Sequence, residues 1–72
     1  MIYNILQMKK ARVMILKEQD NGLNRISTYE DITEIDVQSH HTVLITQESE
    51  SHPKRIVGII PDNFVVRANW ED

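Results

Sequence analysis

The sequence predicts a small all-β protein, and three patterns support this prediction. Apolar residues occur in short blocks rather than at helical spacing, residues that favour turns separate the blocks, and β-branched side chains dominate them. A chain of 72 residues can build only one core. We therefore expect residues 1–72 to form a single domain of about five to six antiparallel strands. These strands are predicted to form a meander that curls into a roll or a barrel.

The first half of the chain contains one clear hairpin signal. The segment 12–17 is largely apolar, and Asp20-Asn21-Gly22 follows it. Because Asn-Gly favours a tight two-residue turn, residues 23–26 are predicted to return as an antiparallel strand. Residues 2–8 fit both a helical and an alternating pattern, and of these we favour a strand.

Residues 27–31 have a different pattern. Ser27 and Glu30 match the spacing of a capping box, which predicts one short helical turn before Ile32. The residues that follow alternate between apolar and charged. This alternation predicts a strand over 33–37, with acidic side chains outward and with Ile35 and Val37 inward.

Two further strands and a hairpin are predicted in the second half of the chain. Residues 42–47 form an apolar block, and a polar loop over 48–53 follows it. The segments 55–60 and 64–68 flank Pro61-Asp62-Asn63, whose residue types favour a turn. The pattern therefore predicts a hairpin between these two segments.

The predicted strands carry more apolar residues than one small core needs. A sheet with one wet face alternates apolar and polar residues, yet four segments are apolar on both faces, namely 13–16, 43–45, 56–60 and 64–66. Either strand twist and the N-terminal segment cover the second face, or that face is an interface with a second copy or another protein. A domain of this size without disulfides gains stability from self-association, which favours the interface.

Four apolar residues are the candidates for this interface: Val57, Ile59, Val65 and Trp70. Trp70 lies beyond the last predicted strand, where it either folds back onto the core or anchors a partner. Gly58 within a strand indicates a bulge, a barrel corner or the close approach of another backbone.

Acidic residues form a second candidate surface. Glu34 and Asp36 share one face of a predicted strand, and Glu30 and Asp31 precede them. A solvated strand face is the simpler interpretation of such a patch, and the alternative is a surface that mimics the charge of nucleic acid or binds a basic partner. Since no nucleophile or oxyanion donor accompanies the carboxylates, we expect no enzymatic activity.

A basic cluster supports an alternative function. Lys9, Lys10 and Arg12 could contact phosphates if the protein were a small nucleic-acid-binding barrel. The net charge of −3 and the pI near 5.5 argue against general binding to nucleic acid. A solvated connector is the simpler interpretation of the cluster.

The remaining residue types indicate no cofactor and no membrane association. The spacing of His40, His41 and His52 matches no zinc signature, and the sequence has no cysteine. No apolar run reaches the roughly 18 residues of a membrane span, so we expect a cytoplasmic protein. The sequence thus predicts a non-enzymatic protein-interaction module, an adaptor or inhibitor-like accessory protein of the kind bacteria and phages encode, acting as a homo-oligomer.

Overall fold

The computed structural model describes residues 9–71, and every regular element among them is a β-strand. The prediction of a small all-β protein is confirmed. In chain order the strands are β1 (Lys10–Gln19), β2 (Gly22–Ile32), β3 (Glu34–Val37), β4 (His41–Thr46), β5 (Arg55–Pro61) and β6 (Val65–Glu71). The described residues contain no helix able to cross a membrane. Residues 2–8, for which a strand was favoured, lie outside the described range.

The six strands form two antiparallel sheets that do not close into a barrel. Sheet A has the strand order β2-β1-β6, and sheet B has the order β3-β4-β5. The chain passes from sheet A to sheet B at Thr33, between β2 and β3, and returns through the turn between β5 and β6. Sheet B is thus a simple meander, whereas β6 pairs with β1 at the far end of the sequence.

The β1–β2 hairpin is present as predicted. Its register pairs Gln19 with Gly22, so the two-residue loop is Asp20 and Asn21. Asp20 has a φ of 52°, a left-handed conformation that aspartate tolerates better than most residues. The returning strand runs beyond the predicted residues and continues to Ile32.

The predicted helical turn at residues 27–31 is wrong, because these residues belong to β2. Ser27 lies opposite Ile15 and Thr28 lies opposite Met14 in the β1–β2 ladder. Pairing with β1 satisfies their backbone groups, which outweighs a capping signal of a single side chain. The irregularity of this segment appears instead as a β-bulge, in which Asp31 has a φ of 57°.

The predicted hairpin between residues 55–60 and 64–68 is also wrong, although its turn exists. The Phe64 N–H donates a hydrogen bond to the Pro61 carbonyl at 3.2 Å. The two arms then diverge, since β5 pairs with β4 and β6 pairs with β1. This arrangement places Ile60 and Val66 in the core between the sheets, which a two-stranded hairpin alone would leave half solvated.

The core lies between the inner faces of the two sheets. Its buried residues are Ala11, Val13, Ile15, Ile32, Leu44 and Ile60. Leu16 is also buried but does not belong to this cluster. Ile35 packs against this core as predicted. Val37 does not, because it lies at the end of β3 beside the Gln38–His41 turn, and it is 75% exposed.

Hydrogen bonds join the sheets where the chain crosses between them. The Thr33 N–H donates to the Ile45 carbonyl at 2.9 Å. The Thr46 hydroxyl donates to the Asp31 carbonyl at 2.8 Å. The bulged end of β2 is therefore fastened to β4, which fixes sheet B relative to sheet A.

Candidate interaction surface

The outer face of sheet B carries a row of apolar side chains, of which Ile56 and Ile59 are exposed and Val43 and Ile45 are half-buried. Val43 lies opposite Ile59 and Ile45 lies opposite Ile56 in the β4–β5 ladder. Paired residues point to the same side of a sheet, and this side is the reverse of the one that buries Leu44. We call Val43, Ile45, Ile56 and Ile59 the isoleucine face. Ile56 is 64% exposed and Ile59 is 61% exposed.

A β-bulge in β5 creates this face. Leu44 pairs with Gly58 and Ile45 with Ile56, so Val57 is an extra residue on β5. Simple alternation places residues 57 and 59 together and residue 56 on the opposite side. The bulge shifts the phase by one residue, and Ile56 joins Ile59 instead. Alternation in the sequence therefore indicates Val57 and Ile59 as interface candidates, but it does not indicate Ile56, Val43 or Ile45.

The neighbourhood of Gly58 explains why a glycine occupies this position. It lies next to the bulge, as one of the predicted alternatives requires. A Cβ atom added at Gly58 would lie 3.1 Å from the ring of Tyr29. Tyr29 packs against the core, so the close approach comes from a side chain of sheet A rather than from another backbone.

Two acidic residues border the isoleucine face. Glu34 lies opposite Ile45 and Asp36 lies opposite Val43, so both carboxylates share the predicted outer face. The Lys54 ammonium contacts the Glu34 carboxylate at 2.8 Å. The Gln38 amide donates to the Asp36 carboxylate at 2.8 Å. Both charges are thus held in place beside the apolar row.

The other two predicted acidic residues lie on sheet A. The Arg12 guanidinium contacts both carboxylate oxygens of Glu30, at 2.8 and 3.1 Å. Asp31 is the bulge residue at the end of β2. The structure therefore divides the predicted acidic patch between two sheets.

Val65 and Trp70 lie apart from the isoleucine face. Both belong to β6, where Val65 is opposite Leu16 and Trp70 is opposite Ala11, so they point to opposite faces of sheet A. Trp70 is inside β6 rather than beyond the last strand. It is 44% exposed and does not cap the core.

Trp70 lines a groove of about 290 Å³ where the two sheets meet. Its other lining residues are Lys9, Thr33, Glu34, Gln47 and Lys54. Ligand pockets typically span about 300–1,000 Å³ and are mostly apolar. This groove lies at the lower limit of that range, and the Glu34–Lys54 ion pair lies on its wall.

The predicted basic cluster belongs to a strand and its entrance, not to a solvated connector. Lys10 begins β1 and lies opposite Glu71, and Arg12 is paired with Glu30. Lys9 faces the groove. Two of the three cations therefore lie beside carboxylates on the outer face of sheet A, where a phosphate would have to compete with them.

The loop between β4 and β5 contains a hydrogen-bonded network, whereas the sequence predicts only a polar loop there. Ser49 Oγ lies 2.6 Å from His52 Nδ1, and His52 Nε2 lies 3.5 Å from the Glu48 carboxylate. The His52 N–H donates to the Ser49 carbonyl, and the Gln47 amide donates to the His52 carbonyl. Serine three residues before histidine in a polar loop is the signal that could have indicated this turn.

These residue types resemble an acyl-transfer triad, but their surroundings do not. The His52 and Glu48 side chains are 54% and 69% exposed, and water weakens the electrostatic interactions that activate a nucleophile. We interpret the network as a stabilised turn. Among residues 9–71, no group of three or more His, Cys, Asp or Glu side chains is arranged to hold a metal ion.

Comparison with models of protein families, with curated proteins and with solved structures found no match.

Proposed function

We propose that this protein is a non-enzymatic interaction module that acts as a homodimer, with sheet B as the binding element. The observation that carries the proposal is the isoleucine face, which no described residue covers. Ile56 and Ile59 each expose more than half of their surface on it. The carboxylates of Glu34 and Asp36 line one side of this face.

The balance between buried and exposed apolar residues supports a binding role. Within residues 9–71, seven hydrophobic residues are buried, while eight large hydrophobic residues are exposed, four of them on sheet B. Contiguous apolar patches on soluble proteins mark interaction sites. Burial gains about 25 cal/mol per Å² of apolar surface, so a domain of this size is stabilised appreciably when a partner covers β5.

The charges of β5 favour a second copy as that partner. Lys54 and Arg55 stand at the start of the strand, and Asp62 follows its end. A homodimer with two-fold symmetry brings the same surface of both copies together, and antiparallel strands then place start against end. The strand is therefore complementary to itself in charge as well as apolar along its middle.

The test compares two substitutions at similarly exposed apolar positions of sheet B. Ile59→Glu places a charge on the isoleucine face, and Val37→Glu places the same charge at the end of β3, where the exposed fraction is 75%. We expect sedimentation equilibrium to give a dimer for the wild type and for Val37→Glu, and a folded monomer for Ile59→Glu. Circular dichroism checks that each variant is folded.

A wild-type protein that sediments as an 8.4 kDa species up to millimolar concentration would overturn the proposal. Equal loss of the dimer in both variants would also contradict it, because the effect would then not be specific to the isoleucine face.

A further inference from the structure

Sheet edges offer a more specific route to self-association than faces do. Four strands stand at the ends of the two sheets and have one side that no described residue pairs with, namely β2, β6, β3 and β5. An unpaired edge presents backbone N–H and C=O groups that can bind another strand. Soluble proteins protect such edges with charges, bulges or short strands.

Three of these edges carry charged residues, several bulges or a very short strand. β2 contains two register irregularities and several charged residues, β6 contains Arg67 and Glu71, and β3 has four residues, of which two are acidic. In β5, residues 56–60 carry no charge. Its interruptions are the bulge at Val57 and Pro61 at its end, which leave the segment from Gly58 to Ile60 uncharged and in regular register with β4.

We propose that β5 pairs antiparallel with β5 of a second copy about a two-fold axis at Ile59, which joins the two B sheets into one sheet of six strands. This inference rests on the proposed homodimer and specifies how it forms: the edges of the two B sheets pair, and their isoleucine faces join side by side into one larger apolar face. It extends sheet B through main-chain hydrogen bonds, the mode known as β-augmentation.

The register follows from the faces of the residues in the regular segment. Gly58 and Ile60 point to the inner face of sheet B, and Ile59 points to the outer face. With the axis at Ile59, Gly58 lies opposite Ile60 of the second copy, and Ile59 lies opposite its own equivalent. Each residue then pairs with one on the same face, whereas a shift by one residue would pair inner with outer side chains.

The charges at the ends of β5 agree with this register. An axis at Ile59 sets Ile56 opposite Asp62 of the second copy, which brings Asp62 close to Arg55. Neither Arg55 nor Asp62 forms an ion pair within residues 9–71. The dimer therefore supplies both groups with an opposite charge, once on each side of the axis.

Single cysteines test the geometry directly, since the protein contains no cysteine. In the proposed dimer the Cα atoms of the two Ile59 residues are about 4.5–5.5 Å apart, within the range that a disulfide spans. Val43 lies beside Ile59 on the same face but one strand further from the edge. Its two copies are three strand spacings apart, about 14 Å, beyond the roughly 7 Å limit for a disulfide.

We expect mild oxidation with glutathione to convert most of the Ile59→Cys protein into a disulfide-linked dimer on a non-reducing gel. Val43→Cys is the matched control on the same face, and Val37→Cys measures random collision at an exposed position. Both are expected to cross-link at the low level of random collision. Cross-linking of Val43→Cys equal to that of Ile59→Cys would show two B sheets packed face to face, which overturns the edge pairing.

Charge reversal at the two ends of β5 provides a second readout, which tests the antiparallel register. Arg55→Glu and Asp62→Lys should each weaken the dimer roughly tenfold, and the double variant should restore its affinity. A wild-type dimer that shows neither the rescue nor the Ile59→Cys cross-link overturns the edge pairing and leaves the proposed homodimer standing. A monomeric wild type removes both proposals.

Discussion

The two sheets have the same number of strands but use their residues differently. Sheet A supplies five of the buried residues, namely Ala11, Val13, Ile15, Leu16 and Ile32, and sheet B supplies only Leu44 and Ile60. The outer face of sheet A is bordered by paired charges such as Arg12 with Glu30. The outer face of sheet B presents isoleucines to solvent.

Sheet A thus supplies most of the buried side chains, while sheet B leaves an apolar face open to solvent. Each sheet exposes four large hydrophobic residues. In sheet A, charged residues separate them along the outer strands, whereas residues 56–60 of β5 in sheet B carry no charge. Substitutions at individual residues measure how much each sheet contributes to the free energy of unfolding and to dimer affinity.

The largest expected effect is in the core of sheet A. Ile32→Ala should destabilise the protein by about 2–5 kcal/mol, because Ile32 is fully buried and its truncation leaves a cavity where β2 ends. Urea unfolding at fixed protein concentration measures the free energy of unfolding. Ile26→Ala is the control, since Ile26 is 53% exposed and should change stability by less than about 0.5 kcal/mol. Similar losses in both variants would contradict the assignment of the core to this face.

The contact between the sheets is the next target. Gly58→Ala introduces a Cβ atom 3.1 Å from the Tyr29 ring, which should cost about 1–3 kcal/mol through overpacking. In a Tyr29→Leu background the same change should be neutral or stabilising, because alanine has less backbone entropy to lose than glycine. Chemical denaturation of the four proteins in this cycle measures the coupling. Equal costs of Gly58→Ala in both backgrounds would show that Tyr29 does not restrict this position.

Local patterns in the sequence were sufficient to predict five of the six strands, the start of β2 and one hairpin. Apolar blocks mark β1, β4, β5 and β6 because β-branched residues pack well on a pleated surface. Asp20-Asn21-Gly22 marks the first hairpin, although the two-residue loop is Asp20-Asn21 and Gly22 begins β2. Partner choice for the last two strands was not predictable in this way. The Pro61 turn is compatible both with a hairpin and with a crossing between sheets, and only the core decides between them.

The candidate surface was predicted in kind but not in detail. Excess apolar residues in the strands indicated an exposed face, and Ile59 lies on it. The bulge at Val57 could not be deduced from alternation, so the partnership of Ile56 with Ile59 was missed. A bulge depends on the register of two strands, which one strand's sequence does not contain.

A smaller effect is expected where sheet B is fastened to sheet A. Thr46→Val removes the hydroxyl that donates to the Asp31 carbonyl at 2.8 Å and preserves the shape of the side chain. The loss should be about 0.5–1.5 kcal/mol. Thr42→Val is a useful control, because Thr42 lies on the same strand away from the β2–β3 junction. Amide exchange in β3 should rise in Thr46→Val only, and a uniform rise in both variants would argue against a local fastening.

The smallest effect is expected at the paired charges on the outer face of sheet A. Arg12→Ala should destabilise the protein by less than about 1 kcal/mol, because exposed ion pairs contribute little and salt screens them. The Arg12 and Glu30 side chains are 56% and 55% exposed. Thermal unfolding in low and high salt measures the loss, which should shrink as salt is added. Since Arg12 is far from β5 in the strand order, the dimer should be unaffected. A weakened dimer in Arg12→Ala would show that sheet A also takes part in binding, and the division of roles between the sheets would then fail.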